Sequence, residues 1–128
     1  MSKILVVEHE ESLRRLYERE LAQEGDTVLS ADDTVEAVSE FGSVHPDLVI
    51  LDLGPPPNDG LLLVEKMFEL DRTVPILLNT TCRSNTDGLL GWAVDAYVEQ
   101  SPDTSELRSK VRELLHPVRA HQEVRDGR

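Results

Sequence analysis

The sequence is short of aromatic side chains, cysteine and positive charge, and each shortage excludes a class of protein. Aromatic residues make up 4% of the 128 residues, so the interior must be aliphatic. Cys82 is the single cysteine and has no partner for an internal disulfide, as expected in a reducing compartment. Acidic residues outnumber basic ones by 25 to 13, and the net charge of −12 argues against direct binding to nucleic-acid phosphates.

Long apolar runs and phosphate-binding loops are also missing. No apolar stretch approaches the roughly 18 residues that a membrane span needs, and the N-terminus has no signal-peptide pattern. We therefore expect a cytoplasmic protein without membrane contact. The first apolar run is followed by Glu8-His9-Glu10-Glu11, which contains no glycine for a dinucleotide site and would repel a flavin phosphate. No Walker A motif and no zinc-ligand spacing are present, so we assign no residue to an organic cofactor.

Short β-like runs alternate with helical patterns along the chain. The predicted strands are residues 3–8, 27–29, 48–52, 76–79 and 96–98. The predicted helices are one that Gly25 ends, one capped by Asp33, residues 60–70, residues 85–92, and one capped by Asp103. Their predicted inward faces include Leu13, Leu16, Tyr17 and Leu21; Val35, Val38 and Phe41; Leu61, Val64, Met67 and Phe68. The alternation predicts one α/β domain over residues 1–118 with a parallel sheet, followed by a polar tail over 119–128.

Two carboxylates stand at the ends of buried strands. Asp52 follows the apolar run Leu48–Leu51 and precedes a loop rich in glycine and proline, and Glu8 ends the first strand in the same way. The carboxyl ends of parallel strands meet at one edge, so these acids should share a crevice. Clustered carboxylates repel one another unless a hard cation such as Mg²⁺ neutralises them. An aspartate neutralised in this way can act as a nucleophile toward a phosphoryl group.

Five segments give the chain a family resemblance over about residues 3–115. They are residues 3–10, residues 46–52, Asp59-Gly60, residues 74–80 and residues 95–98, and their order and spacing together are specific. In these segments the chain resembles the receiver domain of two-component response regulators. The resemblance implies a doubly wound, flavodoxin-like sheet of order 2-1-3-4-5. It also implies a signalling domain rather than an enzyme, with a histidine kinase or a phosphotransfer protein as its partner.

The resemblance assigns roles to individual residues. It implies that Asp52 is the phosphoacceptor and that Glu8, Asp52 and the backbone carbonyl of Gly54 hold Mg²⁺. Thr80 matches the hydroxyl residue that reaches toward the phosphoryl group. Tyr97 matches the aromatic residue whose rotamer changes on activation.

Two positions depart from the family pattern. His9 stands where the family has a second acid that ligates the metal, and a neutral imidazole is a poor Mg²⁺ ligand. Gln100 stands where the family has a lysine that pairs with phosphoryl oxygens. The leading expectation is phosphoryl acceptance with impaired metal use, and binding of Mg²⁺ that is weak or absent. The alternative is a pseudo-receiver that binds partners without phosphorylation.

The resemblance also suggests a contact surface. In the family, the face built from helix 4, strand 5 and helix 5 meets output partners or a second copy of the chain. Trp92 and Tyr97 fall on this face, and aromatic residues are frequent anchors at interfaces. The alternative is that Trp92 only covers the edge of the core.

Replacing His9 with aspartate is expected to strengthen Mg²⁺ binding, because it restores a carboxylate to the acid pair. The check is a titration of both proteins with Mg²⁺. Equal affinities would contradict the prediction.

Overall fold

Five parallel strands form one sheet, with helices on both faces, in the computed structural model, which describes residues 2–52, 58–80 and 94–116. The elements are β1 (Lys3–Glu8), α1 (Glu11–Ala22), β2 (Thr27–Ala31), α2 (Thr34–Val44), β3 (Leu48–Asp52), α3 (Asn58–Leu70), β4 (Ile76–Thr80), β5 (Ala96–Glu99) and α4 (Ser105–Leu115). The strand order is β2-β1-β3-β4-β5, which confirms the predicted sheet. Helix α4 corresponds to the fifth predicted helix; the predicted helix over 85–92 and the predicted tail lie outside the described residues.

The central strands are apolar on both sides because helices cover both faces of the sheet. All of β3 is buried, and so is β1 after Lys3. Side chains alternate along a strand, so Leu5 and Val49 pack toward α2 and α3, whereas Ile4 and Ile50 pack toward α1 and α4. Each such aliphatic side chain contributes roughly 1.5–3 kcal/mol when it is fully buried. The two resulting layers hold β1 and β3 side by side at the centre.

Helix α1 buries the face that its sequence predicts, but it ends at Ala22, three residues before Gly25. Tyr17 and Leu21 are its buried residues, and Leu13 and Leu16 pack against the same cluster at its edge. The chain then turns through Gly25, whose φ of +94° is disfavoured for residues with a Cβ atom.

The predicted inward faces of the next two helices need correction. Val35 is 79% exposed, whereas Ala37 and Phe41 are the buried residues of α2. Residues two positions apart in an α-helix differ by roughly 200° around its axis. A helix that buries Ala37 therefore turns Val35 to the opposite side. In α3, Leu63 is buried although the sequence pattern did not include it. Val35 lines a groove between α2 and α3, and the buried Leu63 forms part of the same lining. The lining residues are Thr34, Val35, Val38, Leu62, Leu63 and Lys66.

The predicted N-cap is confirmed at α2 but lies one residue later than predicted at α4. The Asp33 carboxylate accepts a hydrogen bond from the Glu36 backbone at 2.8 Å, which confirms the cap of α2. At α4 the capping position falls on Thr104, one residue later than predicted. Asp103 accepts instead from the Ser105 backbone at 2.9 Å, so it still satisfies an N–H group at the start of the helix.

An ion pair joins the turn after α1 to the last helix. The Arg112 guanidinium donates to the Asp26 carboxylate, whose side chain is only 4% exposed. Glu24 lies 3.6 Å from Arg112 and 3.7 Å from Arg108, and it extends the contact along α4. The pair ties α4 to the turn that precedes β2, 86 residues away in sequence. Within the described ranges, no helix is long and apolar enough to cross a bilayer.

Replacing Asp26 with asparagine is expected to lower the free energy of unfolding by about 1–3 kcal/mol, because it removes the charge that Arg112 contacts. Urea unfolding at constant pH measures the change. Glu11→Gln is the matched control, since it breaks the exposed pair of Glu11 with Arg15, for which about 0.3–0.5 kcal/mol is expected. Equal losses in the two variants would show that burial of the Asp26 pair adds nothing.

Candidate functional site

Two acidic side chains face each other at one edge of the sheet. Glu8 ends β1 and Asp52 ends β3, and the parallel register of these strands places them directly opposite one another. Glu8 is 1% exposed and Asp52 is 8% exposed. Burial of two carboxyl groups side by side is costly unless a proton, a cation or hydrogen bonds compensate. The register confirms that the two acids lie together at one edge of the sheet, as the sequence predicted.

The local backbone holds Glu8 in place. Its Oε2 atom accepts a hydrogen bond from the Glu10 backbone at 2.9 Å. Arg14 donates from α1 to the Glu8 carbonyl, also at 2.9 Å. The other carboxylate oxygen, Oε1, is buried and has no hydrogen-bond donor. That oxygen is consequently available to a proton on Asp52 or to a cation.

The side chain of Gln100 contacts Asp52. It follows β5, and its Nε2 atom donates to Asp52 Oδ2. The same nitrogen lies 3.3 Å from the hydroxyl of Tyr17, a residue of α1 that is 1% exposed. The sequence indicated Tyr17 only as a core residue. The signal for its second role was a hydroxyl on an otherwise aliphatic helix face, since a buried tyrosine normally finds a polar partner.

Burial and the second acid change the ionisation of Asp52. Burial, followed by the hydrogen bond with Glu8 and the charge of Glu8, raises the pKa of Asp52 from 3.8 to about 9, against an opposing effect of Gln100. Asp52 therefore favours its protonated form near neutral pH when no cation lies beside it. Burial likewise raises the pKa of Tyr17, so this side chain acts as a neutral hydroxyl.

The other predicted site residues lie around this pair in different ways. The side chain of His9 is 68% exposed, and its Nδ1 atom lies 3.4 Å from Glu8 Oε2. Thr80 ends β4, in register with Glu99 of β5. Tyr97 lies on β5 and is 54% exposed. Gly54 and Trp92 lie outside the described residues.

Asn79 is a buried polar residue that does not belong to the predicted site. It precedes Thr80 on β4 and is 2% exposed. Its Nδ2 atom has no hydrogen-bond acceptor. The signal was an amide at the end of the apolar run Ile76–Leu78, next to the edge that carries Asp52.

The donor set fits a hard cation through two carboxylates. Glu8 supplies a buried oxygen without a donor, and Asp52 lies opposite it. Among residues 2–52, 58–80 and 94–116, no group of three or more His, Cys, Asp or Glu side chains has the geometry of a metal site. Within the described part of the chain, further ligands would be backbone or water oxygens, which Mg²⁺ commonly uses.

A known protein family matches most of the chain, and its match supports the fold and the acidic edge described above. The family model described as "Response regulator receiver domain" matches residues 4–112. The chain belongs to the response regulator receiver family. The resemblance drawn from the sequence segments is thereby confirmed, and the domain is called a receiver below.

Curated relatives of this receiver are regulators of greater length. The probable transcriptional regulator ycf27 of Porphyridium aerugineum is 36% identical over 118 residues, which are 91% of this chain and 49% of that protein. The alkaline phosphatase synthesis transcriptional regulatory protein PhoP of Bacillus subtilis is 31% identical over 88% of this chain and 48% of its own length. The receiver thus spans about half the length of the curated relatives that it matches.

Solved structures support the same family. The response regulator TrrA of Thermotoga maritima, in complex with Mg²⁺ and BeF, superimposes with a TM-score of 0.82 at 36% identity, over 89% of this chain and 99% of that one. A structure of TrrA in complex with the histidine kinase ThkA gives a TM-score of 0.80, over 90% of this chain and 99% of that one.

Replacing Asp52 with asparagine is expected to stabilise the receiver near neutral pH by about 1–3 kcal/mol. The pKa of Asp52 is raised on folding, so its contribution to stability is complete under acidic conditions and is lost as the pH rises toward 9. An amide needs no proton to remain neutral and can donate to Glu8. Thermal unfolding between pH 5 and 9 measures the difference, which should grow with pH.

The control for this prediction is Asp32→Asn. Asp32 is exposed, so its replacement measures how much stability changes when one negative charge is removed from the acidic surface. A pH-independent difference between Asp52→Asn and the wild type would contradict the raised pKa.

Proposed function

We propose that this receiver accepts a phosphoryl group on Asp52 from a histidine kinase or a phosphotransfer protein. The observation that carries the proposal is the buried carboxyl of Asp52 at the end of β3, directly opposite Glu8. Membership of the receiver family supports it. So does the similarity to TrrA, which was solved both in complex with Mg²⁺ and BeF and in complex with the histidine kinase ThkA.

The chemistry requires the ionised form of Asp52. A carboxylate oxygen of Asp52 attacks the phosphorus atom, a new O–P bond forms, and the bond from phosphorus to the donor breaks. Asp52 first has to lose its proton to water, because a neutral carboxylic acid is a poor nucleophile. Gln100 is placed to donate a hydrogen bond from its amide to an oxygen on Asp52. As a neutral donor it supplies less stabilisation than a charged one.

Glu8 and Asp52 would hold Mg²⁺, with the backbone carbonyl of Gly54 as a further ligand. When bound, the cation neutralises the two carboxylates and the charge of the phosphoryl group. His9 adds no carboxylate, and its side chain is largely exposed. We therefore propose weaker Mg²⁺ binding than at a receiver with two adjacent acids.

The response would pass to the surface through Thr80 and Tyr97. Thr80 ends the strand that pairs with β5, and Tyr97 stands on β5 itself. The exposed ring of Tyr97 supports a role at a contact surface. We propose that this surface is formed by the helix predicted over residues 85–92, by β5 and by α4, which is the fifth predicted helix. It would contact either an output protein or a second copy of the chain. The receiver would act as a cytoplasmic signalling domain without catalytic turnover of its own.

A second candidate function is a pseudo-receiver that binds partners without phosphorylation. The observation that favours it is the contact of Gln100 with Asp52, which already satisfies one oxygen of the acceptor. The raised pKa of Asp52 works in the same direction, because it lowers the fraction of the nucleophilic form.

Incubation with acetyl phosphate and Mg²⁺ is expected to add one phosphoryl group to the wild type and none to Asp52→Asn. Intact-protein mass spectrometry measures the addition. Asp32→Asn is the matched control, since it removes an exposed aspartate elsewhere and should be phosphorylated normally. Failure of the wild type at saturating donor would favour the pseudo-receiver.

A further inference from the structure

The hydroxyl of Tyr17 connects α1 to the acceptor site through its hydrogen bond with Gln100, and the side chain of Asn79 also interacts with this hydroxyl. Its ring is buried in the aliphatic layer between α1, α4 and the sheet, with Ile50 and Leu107 among its neighbours in that cluster. Its hydroxyl reaches the Gln100 amide nitrogen at 3.3 Å. A purely apolar side chain would fill this layer without introducing a buried polar atom. The hydroxyl is therefore the part of Tyr17 that packing alone does not explain.

The Gln100 amide nitrogen is shared between two acceptors. A primary amide nitrogen carries two hydrogens; here one is directed at Asp52 Oδ2 and the other at the Tyr17 hydroxyl oxygen. The amide oxygen must then point away from the Asp52 carboxyl. Without the Tyr17 contact, the terminal side-chain torsions of Gln100 would be less restricted. Water would also compete for the amide hydrogens, because Gln100 is only partly buried.

We infer that Tyr17 is a positioning residue that anchors the Gln100 amide against Asp52. Tyr17 does not touch the reacting atoms; it acts through Gln100. The effect on phosphoryl transfer rests on the proposed function, whereas the anchoring of Gln100 does not. Because Tyr17 lies on α1, a displacement of this helix would change the orientation of the Gln100 amide that donates to Asp52.

The anchoring predicts a dependence on the chemistry of residue 100. An amide offers donors at one end and an acceptor at the other, so it needs to be held in one orientation. An ammonium presents donors on every side and is attracted by the charges of Glu8 and Asp52 without being oriented. The hydroxyl of Tyr17 should consequently matter with glutamine at this position and matter little with lysine.

The test compares the wild type, Tyr17→Phe, Gln100→Lys and the double variant. Phenylalanine keeps the ring in the core and removes only the hydroxyl. The first measurement is the ¹⁵N–¹H spectrum of the Gln100 side chain without any phosphodonor. In Tyr17→Phe, one of the two amide proton resonances should shift upfield, and rotation of the amide should exchange the two protons faster.

The second measurement is the rate of phosphorylation by acetyl phosphate below saturation. Tyr17→Phe should reduce the rate about 2- to 10-fold in the glutamine background, as expected for loss of one neutral hydrogen bond. The same substitution should change the rate less than about 2-fold in the lysine background. Leu21→Val is the packing control, since it trims a fully buried residue of the same helix without touching Gln100.

The outcomes separate this inference from the proposed function. Unchanged Gln100 amide resonances in Tyr17→Phe would overturn the anchoring. Equal rate losses in the glutamine and lysine backgrounds, or an equal loss in Leu21→Val, would reduce Tyr17 to a core residue. If no protein incorporates phosphate, the proposed function fails, and the side-chain spectrum still decides whether Tyr17 holds Gln100.

Discussion

The register between β1 and β3 is the constraint on which the site depends. It brings Glu8 opposite Asp52, and the buried aliphatic residues on both faces of these strands prevent the register from changing. A shift by one residue would exchange the two faces of a strand and move a carboxyl into an aliphatic layer. The hydrophobic effect thus supplies the energy that keeps two acids closer together than their charges favour.

The order of the elements was predictable because several local signals agree. Apolar runs, the Asp33 cap and Gly25 each indicate the same alternation, and right-handed crossovers leave few topologies for it. Helix faces were less predictable, since Val35 and Leu63 are both aliphatic and only packing against a neighbouring helix decides which is buried. Spacing indicated the buried face correctly in α1, but in α2 and α3 apolar residues also lie outside the buried stripe, and spacing alone does not identify them.

Part of the site followed from the sequence and part did not. Glu8 and Asp52 were predictable because each ends a buried strand at the same edge of the sheet. The contact between Tyr17 and Gln100 was not, since it joins residues 83 positions apart through side-chain atoms that no periodicity reports. Family resemblance marked position 100 as unusual, but only the fold reveals that α1 supplies a partner for the residue found there.

The ion pair of Asp26 with Arg112 has a consequence for the folding kinetics. Every strand pairing in the described sheet is parallel, so no hairpin can start the sheet and each pairing requires closure of a long loop. Arg112 reaches Asp26 only after α4 has formed at the far end of the domain. During synthesis, the Asp26 carboxylate therefore has no guanidinium of α4 to contact until the chain has been made as far as Arg112.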